Sequence, residues 1–173
     1  GDVPADRIRM LPPPGRATEK DVIAAMEAPR KRLCELIDGV LVEKAVGTRE
    51  ALLAGEILRL LWQFVDPGDL GVVLPGDASL RLHPGLVRFP DVSYLSWNTI
   101  GADEFPDAPI ASLVPDLAVE VISQGNTKKE MERKLRDYFV SGVRLVWLVY
   151  PKTQTAEIYT CLLYTSDAAD DLT

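Results

Sequence analysis

Histidine and cysteine are scarce in this chain of 173 residues, which contains one histidine and two cysteines. His83 alone cannot build a histidine-based zinc site, and two cysteines argue against a structural zinc site. A serine or cysteine triad needs a histidine base within reach, so this class of hydrolase is also disfavoured. Cys34 and Cys161 form no disulfide framework, and we therefore expect a reducing, cytoplasmic location.

Long hydrophobic runs are absent as well. No apolar run approaches the roughly 18 residues that a membrane span needs, and "LVWLVY" at 145–150 has the length of a buried strand. The first residues carry no signal-peptide pattern. We expect no membrane partner. Because the chain opens at Gly1, we also expect the natural N-terminus to lie outside this sequence.

The remaining composition is that of an ordinary globular domain, with 47% hydrophobic and 26% charged residues. Residues 1–17 contain "LPPPG" and predict an irregular, proline-rich arm. Residues 18–160 predict a single folded domain. The segment "CLLYTSDAADD" looks like the translation of a sequencing-library adapter, so residues 161–173 are predicted to be a non-native, adapter-derived tail that does not extend the fold.

Two helices and a hairpin stand out locally. The segment "TEKDVIAAMEAPRKR" predicts a helix with Thr18 as its N-cap, and the helix "TKKEMERKLRDYFV" lies between Thr127 as N-cap and Gly142. Asp38-Gly39 separates two apolar runs, which predicts a two-residue hairpin turn. Periodicity predicts a further long helix over 47–65.

The other apolar segments predict strands. "LVRFPDVSYLSW" reads as one strand, in which Pro90 implies an edge position or a bulge. Further strands are predicted in "GVVL", "ASLRL", "PDLAVEVI", "VRLVWLVYP" and "TAEIYT". Together with the helices they predict an α/β or α+β domain whose mixed β-sheet is flanked by helices.

Glu120 is the most informative residue, because it interrupts an apolar strand. Ala118 and Ile122 share its face, whereas Val119 and Val121 occupy the other face, and both faces are mostly apolar. A buried carboxylate must be neutralised, paired or bound to a metal. A strand-end glutamate that meets water or an arginine is the structural alternative.

Asp91 and Lys134 are two further candidates. Asp91 is a second carboxylate in a strand with apolar neighbours, and its alternative role is that of a turn or strand-end residue. Lys134 lies at the edge of the core-facing stripe formed by Met131, Leu135, Tyr138 and Phe139. Its long side chain could carry the ammonium over the sheet or simply extend to solvent.

Two more acids complete the candidates. Glu35 lies in the first hairpin strand. Glu50 lies in the first turn of the long helix, where a negative charge suits the helix dipole, but it also shares the core-facing stripe of Ala54, Ile57 and Leu61. We expect a capping role for Glu50, and an accessory site role is the alternative.

Carboxylates that converge with a lysine in a low-dielectric crevice have a chemical use. Carboxylate oxygens are the ligands that Mg²⁺ prefers in proteins. The bound metal can activate water and stabilise a phosphodiester under attack, and a lysine adds positive charge beside the developing negative charge. At least one crowded carboxyl should then have a raised pKa.

Five motifs in chain order resemble a known family. Pro90-Asp91 followed by "PDLAVEVIS" resembles the PD-(D/E)XK nuclease superfamily. More narrowly, the chain resembles the Uma-type restriction endonuclease family of bacteria, in the motifs "CELIDGVLVE", "RFPDVSYLS", "PDLAVEVIS-x-x-NT", "K-x-x-x-Y" and "GVRLVWLVYP". The resemblance implies a restriction-endonuclease-like fold over residues 18–160.

The resemblance also implies roles for individual residues. Asp91 and Glu120 would be the metal ligands, and Glu35 matches the acid of the family's hairpin. The superfamily lysine should stand two residues after the glutamate, where this chain has Ile122. Lys134 matches the family's helical lysine and would replace it from the helix.

The implied activity is hydrolysis of DNA phosphodiester bonds with Mg²⁺ or Mn²⁺, and a homodimer is the expected assembly. Glu50 stands where the family often has a histidine, so its role is accessory at most. A second hypothesis is a non-catalytic nucleic-acid-binding or assembly module on the same fold. Such a module would need the basic segments "RKR" and "TKKEMERKLR", because a net charge of −7 gives no overall attraction to DNA.

Overall fold

The structure is a computed structural model that describes residues 3–45, 47–101 and 105–160. The predicted tail at 161–173 lies outside the described residues. The helices are α1 Glu19–Glu27, α2 Thr48–Val65, α3 Trp97–Ile100 and α4 Lys128–Val140. The strands are β1 Cys34–Ile37, β2 Val40–Glu43, β3 Gly71–Pro75, β4 Leu80–His83, β5 Leu86–Arg88, β6 Val92–Ser96, β7 Leu117–Val121, β8 Leu145–Tyr150 and β9 Thr155–Thr160.

The strands form two sheets, and helices flank both of them. The first sheet is antiparallel and has the strand order β2-β1-β5-β4; the second has the order β3-β6-β7-β8-β9. Only β7 and β8 pair in parallel within the second sheet, and α4 makes the crossover that a parallel pair requires. The predicted fold class is confirmed, but two sheets take the place of one continuous sheet.

The hairpin turn between β1 and β2 has the conformation that its sequence predicts. Asp38 has φ 49° and Gly39 has φ 72°. Two consecutive positive φ values match the right-handed twist of the flanking strands. Glu35 pairs with Val42 in the resulting register, so the turn fixes which residues of β1 point toward the second sheet.

Pro90 corrects one expectation. It lies neither on an edge strand nor at a bulge, because the predicted long strand divides at Phe89–Asp91 into β5 of the first sheet and β6 of the second. Pro90 is buried where the chain passes between the sheets. A proline suits this position because it has no N–H that would need a partner there.

The core is layered around the second sheet. Leu117 and Val119 of β7 pack with α2, whereas Ala118 and Ile122 share a cluster with Met131 and other residues of α4. That second cluster also contains residues of β1, β2, β4 and β5, so the first sheet faces the same side as α4. Glu120 alternates with Ala118 and therefore points into this shared space.

The N-terminal arm is held against the first sheet. Ala5–Arg7 form a 3-10 turn, and Ile8 makes an isolated bridge to Val42. Arg7 donates to the Glu43 carbonyl at 2.8 Å and forms an ion pair with Glu130 at 2.9 Å. Among the described helices, none is long and apolar enough to cross a membrane.

Gly71 provides a test of the second sheet. It begins β3 with φ 151°, and a Cβ atom there would stand 2.1 Å from the Leu95 carbonyl oxygen. We expect Gly71→Ala to lower the free energy of unfolding by more than about 2 kcal/mol.

The matched control is Gly55→Ala in α2, where a Cβ atom would meet nothing within 4 Å. That variant should gain about 1 kcal/mol from helix propensity. Denaturant titration measures both, and equal stabilities would contradict the packing described for β3.

Candidate active site

Glu120 is held by two residues of α4. Its Oε2 lies 2.9 Å from the Lys134 ammonium nitrogen, and its Oε1 accepts a hydrogen bond of 2.5 Å from the Tyr138 hydroxyl. Lys134 and Tyr138 are four residues apart, so they lie one above the other on the same face of the helix. The sequence motif "K-x-x-x-Y" therefore provides both partners of the buried carboxylate.

Glu35 faces the same ammonium from the other sheet. Its Oε1 lies 3.2 Å from the Lys134 nitrogen and accepts from the Phe89 N–H at 3.3 Å. Its Oε2 accepts from the Arg88 guanidinium at 2.6 Å. Arg88 also forms an ion pair with Asp137 of α4. Lys134 thus connects a carboxylate of each sheet, and both sheets contribute to one charge network.

Arg88 is a site residue that the sequence analysis missed. It is almost completely buried, and its side chain lies between Glu35 and Asp137. The signal was present, because Arg88 interrupts the apolar run of Val87 and Phe89 in the same way that Glu120 interrupts its strand. A buried arginine without a carboxylate partner would be very unfavourable.

Attraction between opposite charges outweighs the effect of burial on the pKa values of Glu35 and Lys134. Burial alone would raise the pKa of Glu35, but the positive charges of Lys134 and Arg88 lower it to about 2. Burial alone would lower the pKa of Lys134, but attraction to Glu120 and Glu35 outweighs it and raises this pKa. Both groups are therefore charged in the folded protein at neutral pH.

Glu120 behaves differently from Glu35. Burial raises its pKa above the usual value, and the negative charges of Asp91 and Glu35 add to this effect against the opposing charge of Lys134. Burial and the nearby Glu120 charge also raise the pKa of Tyr138, which stays protonated and donates its hydrogen. The expectation of one carboxyl with a raised pKa is met by Glu120.

Asp91 lies immediately before β6 and beside Glu120 in the sheet. Val92 pairs with Val119, and the Asp91 N–H donates to the Val119 carbonyl at 2.9 Å. Its Oδ2 accepts from the Val121 N–H at 2.7 Å, and its Oδ1 lies 2.8 Å from the Lys44 ammonium. Because the pairing is antiparallel, Asp91 and Glu120 are next to the Val92–Val119 pair and stand opposite each other.

A cavity of about 320 Å³ opens beside Asp91. Its lining includes Asp91, Lys44, Glu50 and Val121 together with small residues of α2. The Glu50 carboxylate lies over Gly47 at the start of α2, where a Cβ atom would stand 2.0 Å from Oε2. The Glu50 carboxylate thus lies at the N-terminus of α2 and also lines the cavity.

Several residues of the basic segments pair with neighbouring acids. The Lys31 ammonium nitrogen lies 3.6 Å from Asp77 Oδ2, and the Arg32 guanidinium lies 2.7 Å from Glu43 Oε1. On α4, Arg133 forms ion pairs with Asp38 and Asp137. Neighbouring acids thus neutralise much of the positive charge that a non-catalytic DNA-binding surface would use.

A sequence profile identifies the family of this chain. The profile of the Uma2 family, described as "Putative restriction endonuclease", matches residues 21–165. The chain belongs to the Uma2 family. This confirms the family expected from the five motifs, and membership in it supports a nuclease function for the chain.

A solved structure has the same fold as this Uma2 protein. It is described as a "putative nuclease belonging to DUF820" from Anabaena variabilis, with a TM-score of 0.66 and 20% sequence identity. The match covers 75% of this chain and 72% of the neighbour. At this identity the likeness establishes the fold. A comparison with curated proteins finds no match.

The lowered pKa of Glu35 predicts acid sensitivity. Its usual pKa is 4.5 and its folded value is about 2, so the unfolded state binds more protons between these values. The stabilisation from Glu35 is complete above pH 4.5 and is lost as the pH falls toward 2. We expect Glu35→Gln to lose about 3 kcal/mol at pH 7, because Arg88 and Lys134 lose a partner, and to show a shallower acid decline.

The control for this prediction is Glu132→Gln. Glu132 is more than half exposed and lies 3.9 Å from Lys128. Its substitution removes the same charge and should leave both the stability and its pH dependence close to wild type. Denaturant titration from pH 7 to pH 2 measures these quantities. A Glu35→Gln variant with the wild-type slope would contradict the role of Glu35.

Proposed function

We propose that this Uma2 protein is a metal-dependent endonuclease that hydrolyses phosphodiester bonds of DNA. The observation that carries the proposal is the placement of Asp91, immediately before β6, next to Glu120 of β7, with Lys134 in contact with Glu120 and an open cavity beside Asp91. Family membership favours nuclease chemistry, and metal and substrate are the parts that the proposal adds.

The chemistry of these donors fits Mg²⁺ or Mn²⁺. Asp91 and Glu120 offer hard carboxylate oxygens, and their charges are close enough to raise the pKa of Glu120. Within residues 3–45, 47–101 and 105–160, no three histidine, cysteine, aspartate or glutamate residues group as in an all-protein metal site. Mg²⁺ does not need such a group, because it usually keeps several waters and uses one or two carboxylates together with substrate phosphate.

Each residue of the site has a role in this proposal. Asp91 and Glu120 would hold the metal, which when bound supplies positive charge to the phosphate and lowers the pKa of a water. Lys134 orients Glu120 through its 2.9 Å contact and adds positive charge in a site shielded from water. Glu35 keeps Lys134 charged and placed, and so acts as a positioning residue.

The remaining contacts preorganise Glu120. The Tyr138 hydroxyl fixes one carboxylate oxygen, and the Lys134 ammonium fixes the other. Because α4 and β7 carry these groups, neither oxygen can rotate without losing a buried partner. The open cavity beside Asp91 is the approach that we assign to the substrate.

The nuclease family supports a nucleic-acid substrate, for which we propose DNA, and the charge of the chain constrains how DNA would bind. A net charge of −7 repels a phosphate backbone at long range. Binding must therefore rely on local groups and on the metal. The non-catalytic alternative is less favoured, because acidic neighbours pair with Lys31, Arg32 and Arg133 of the basic segments that it requires.

Glu120→Gln tests the proposed site directly. Burial raises the pKa of Glu120 whereas opposite charges lower that of Glu35, so folding favours ionisation less at Glu120 and the metal-free variant should lose less stability than Glu35→Gln. Cleavage of plasmid DNA and stabilisation by Mn²⁺ should both disappear. Wild type should gain about 2.7 kcal/mol when Mn²⁺ is a hundredfold above its dissociation constant.

Glu132→Gln is the matched control. Glu132 lies on α4, is more than half exposed and is not among the residues that line the cavity beside Asp91. This variant should keep both cleavage and stabilisation by Mn²⁺. Thermal melts with and without Mn²⁺ and a cleavage assay measure the outcome. A Glu120→Gln variant that is strongly destabilised, and a wild type indifferent to Mn²⁺, would together refute the site.

A further inference from the structure

Lys44 is buried beside Asp91, although it is not among the site residues that the sequence predicts. It follows β2 directly, and its side chain is 7% exposed. The ammonium lies 2.8 Å from Asp91 Oδ1, donates to the Phe89 carbonyl at 2.7 Å and donates to the Gly76 carbonyl at 2.9 Å. Three oxygens thus satisfy the three donors of one ammonium.

The surroundings of this ammonium leave little free space. A Cβ atom at Gly76 would stand 3.1 Å from the Lys44 nitrogen and 3.2 Å from the Asp91 carbonyl oxygen. Glycine at position 76 therefore lets the chain after β3 approach both residues closely. The ammonium is held by two parts of the chain, at Gly76 and at Phe89–Asp91, and an exposed lysine that pairs by chance would not have this geometry.

The two oxygens of Asp91 are engaged in different ways. Oδ2 accepts from the Val121 N–H, which belongs to the sheet and cannot move independently. Oδ1 pairs with Lys44, which also lines the cavity. A cation that approaches Asp91 from the cavity therefore also approaches this ammonium, and like charges in a partly buried site repel strongly.

We propose that Lys44 is an internal counter-ion of Asp91 that competes with a divalent cation and thereby sets the affinity of this site for metal. This inference rests on the proposed metal site at Asp91. Without metal, Lys44 neutralises Asp91 and stabilises the folded protein. When a cation binds, the Lys44 ammonium moves away from Oδ1 and gives up that ion pair.

Removing the ammonium should therefore strengthen metal binding. In Lys44→Met the side chain stays unbranched, is one atom shorter and loses its charge. We expect isothermal titration calorimetry with Mn²⁺ to show a dissociation constant lower by about tenfold or more than that of wild type. Lys44→Gln should show the same direction and serves as the second variant if the methionine variant does not fold.

Two further variants locate the effect. Lys128→Met is the charge-matched control, because Lys128 is 91% exposed and lies 3.9 Å from its partner Glu132. It should bind Mn²⁺ as wild type does. Asp91→Asn removes the carboxylate for which Lys44 and the metal compete, and it should weaken or abolish binding. Metal-free Lys44→Met should also melt at a lower temperature than wild type, and saturating Mn²⁺ should reduce this difference.

The outcomes separate the two proposals. If wild type binds Mn²⁺ through Asp91 and both Lys44 variants bind it equally or more weakly, Lys44 is a structural residue and the counter-ion proposal is wrong. If no variant binds Mn²⁺, the metal site itself is wrong and the Lys44 proposal fails with it. Tighter binding in both Lys44 variants, with no change in Lys128→Met, supports the proposal.

Discussion

The contact of the Lys134 ammonium with Glu120 and Glu35 is the interaction on which the site depends. One carboxylate belongs to each sheet, and the lysine belongs to the helix that faces both. Charges this deeply buried are tolerated only when every one has a partner. The network therefore requires both sheets and α4 to reach their final positions together, and it links the stability of the fold to the geometry of the site.

Part of this arrangement could be predicted from the sequence because it is local. The Asp38-Gly39 turn specifies its own conformation, and the register that it sets turns Glu35 inward. The alternation along β7 identifies Glu120 as a charge on an apolar face. The helical position of Lys134 predicts its reach toward that face. Each of these inferences uses only a few consecutive residues and a fixed period.

The rest depends on contacts between distant parts of the chain. The period of "LVRFPDVSYLSW" does not reveal that β5 and β6 belong to different sheets, since strand patterns carry no information about partners. Lys44 lies after a strand in a segment with no apolar period, and only the approach of Gly76 and Phe89 gives it a role. Arg88 could have been found by the reasoning that identified Glu120.

The short passage through Pro90 has a consequence for how the protein moves. Only Phe89–Asp91 separate β5 from β6, and the buried Lys134 ammonium contacts Glu35 of one sheet and Glu120 of the other. A motion of one sheet away from the other would separate these buried charges, which is very unfavourable. Substrate access must therefore come from loops and side chains around the cavity, while the two sheets open and unfold as one cooperative unit.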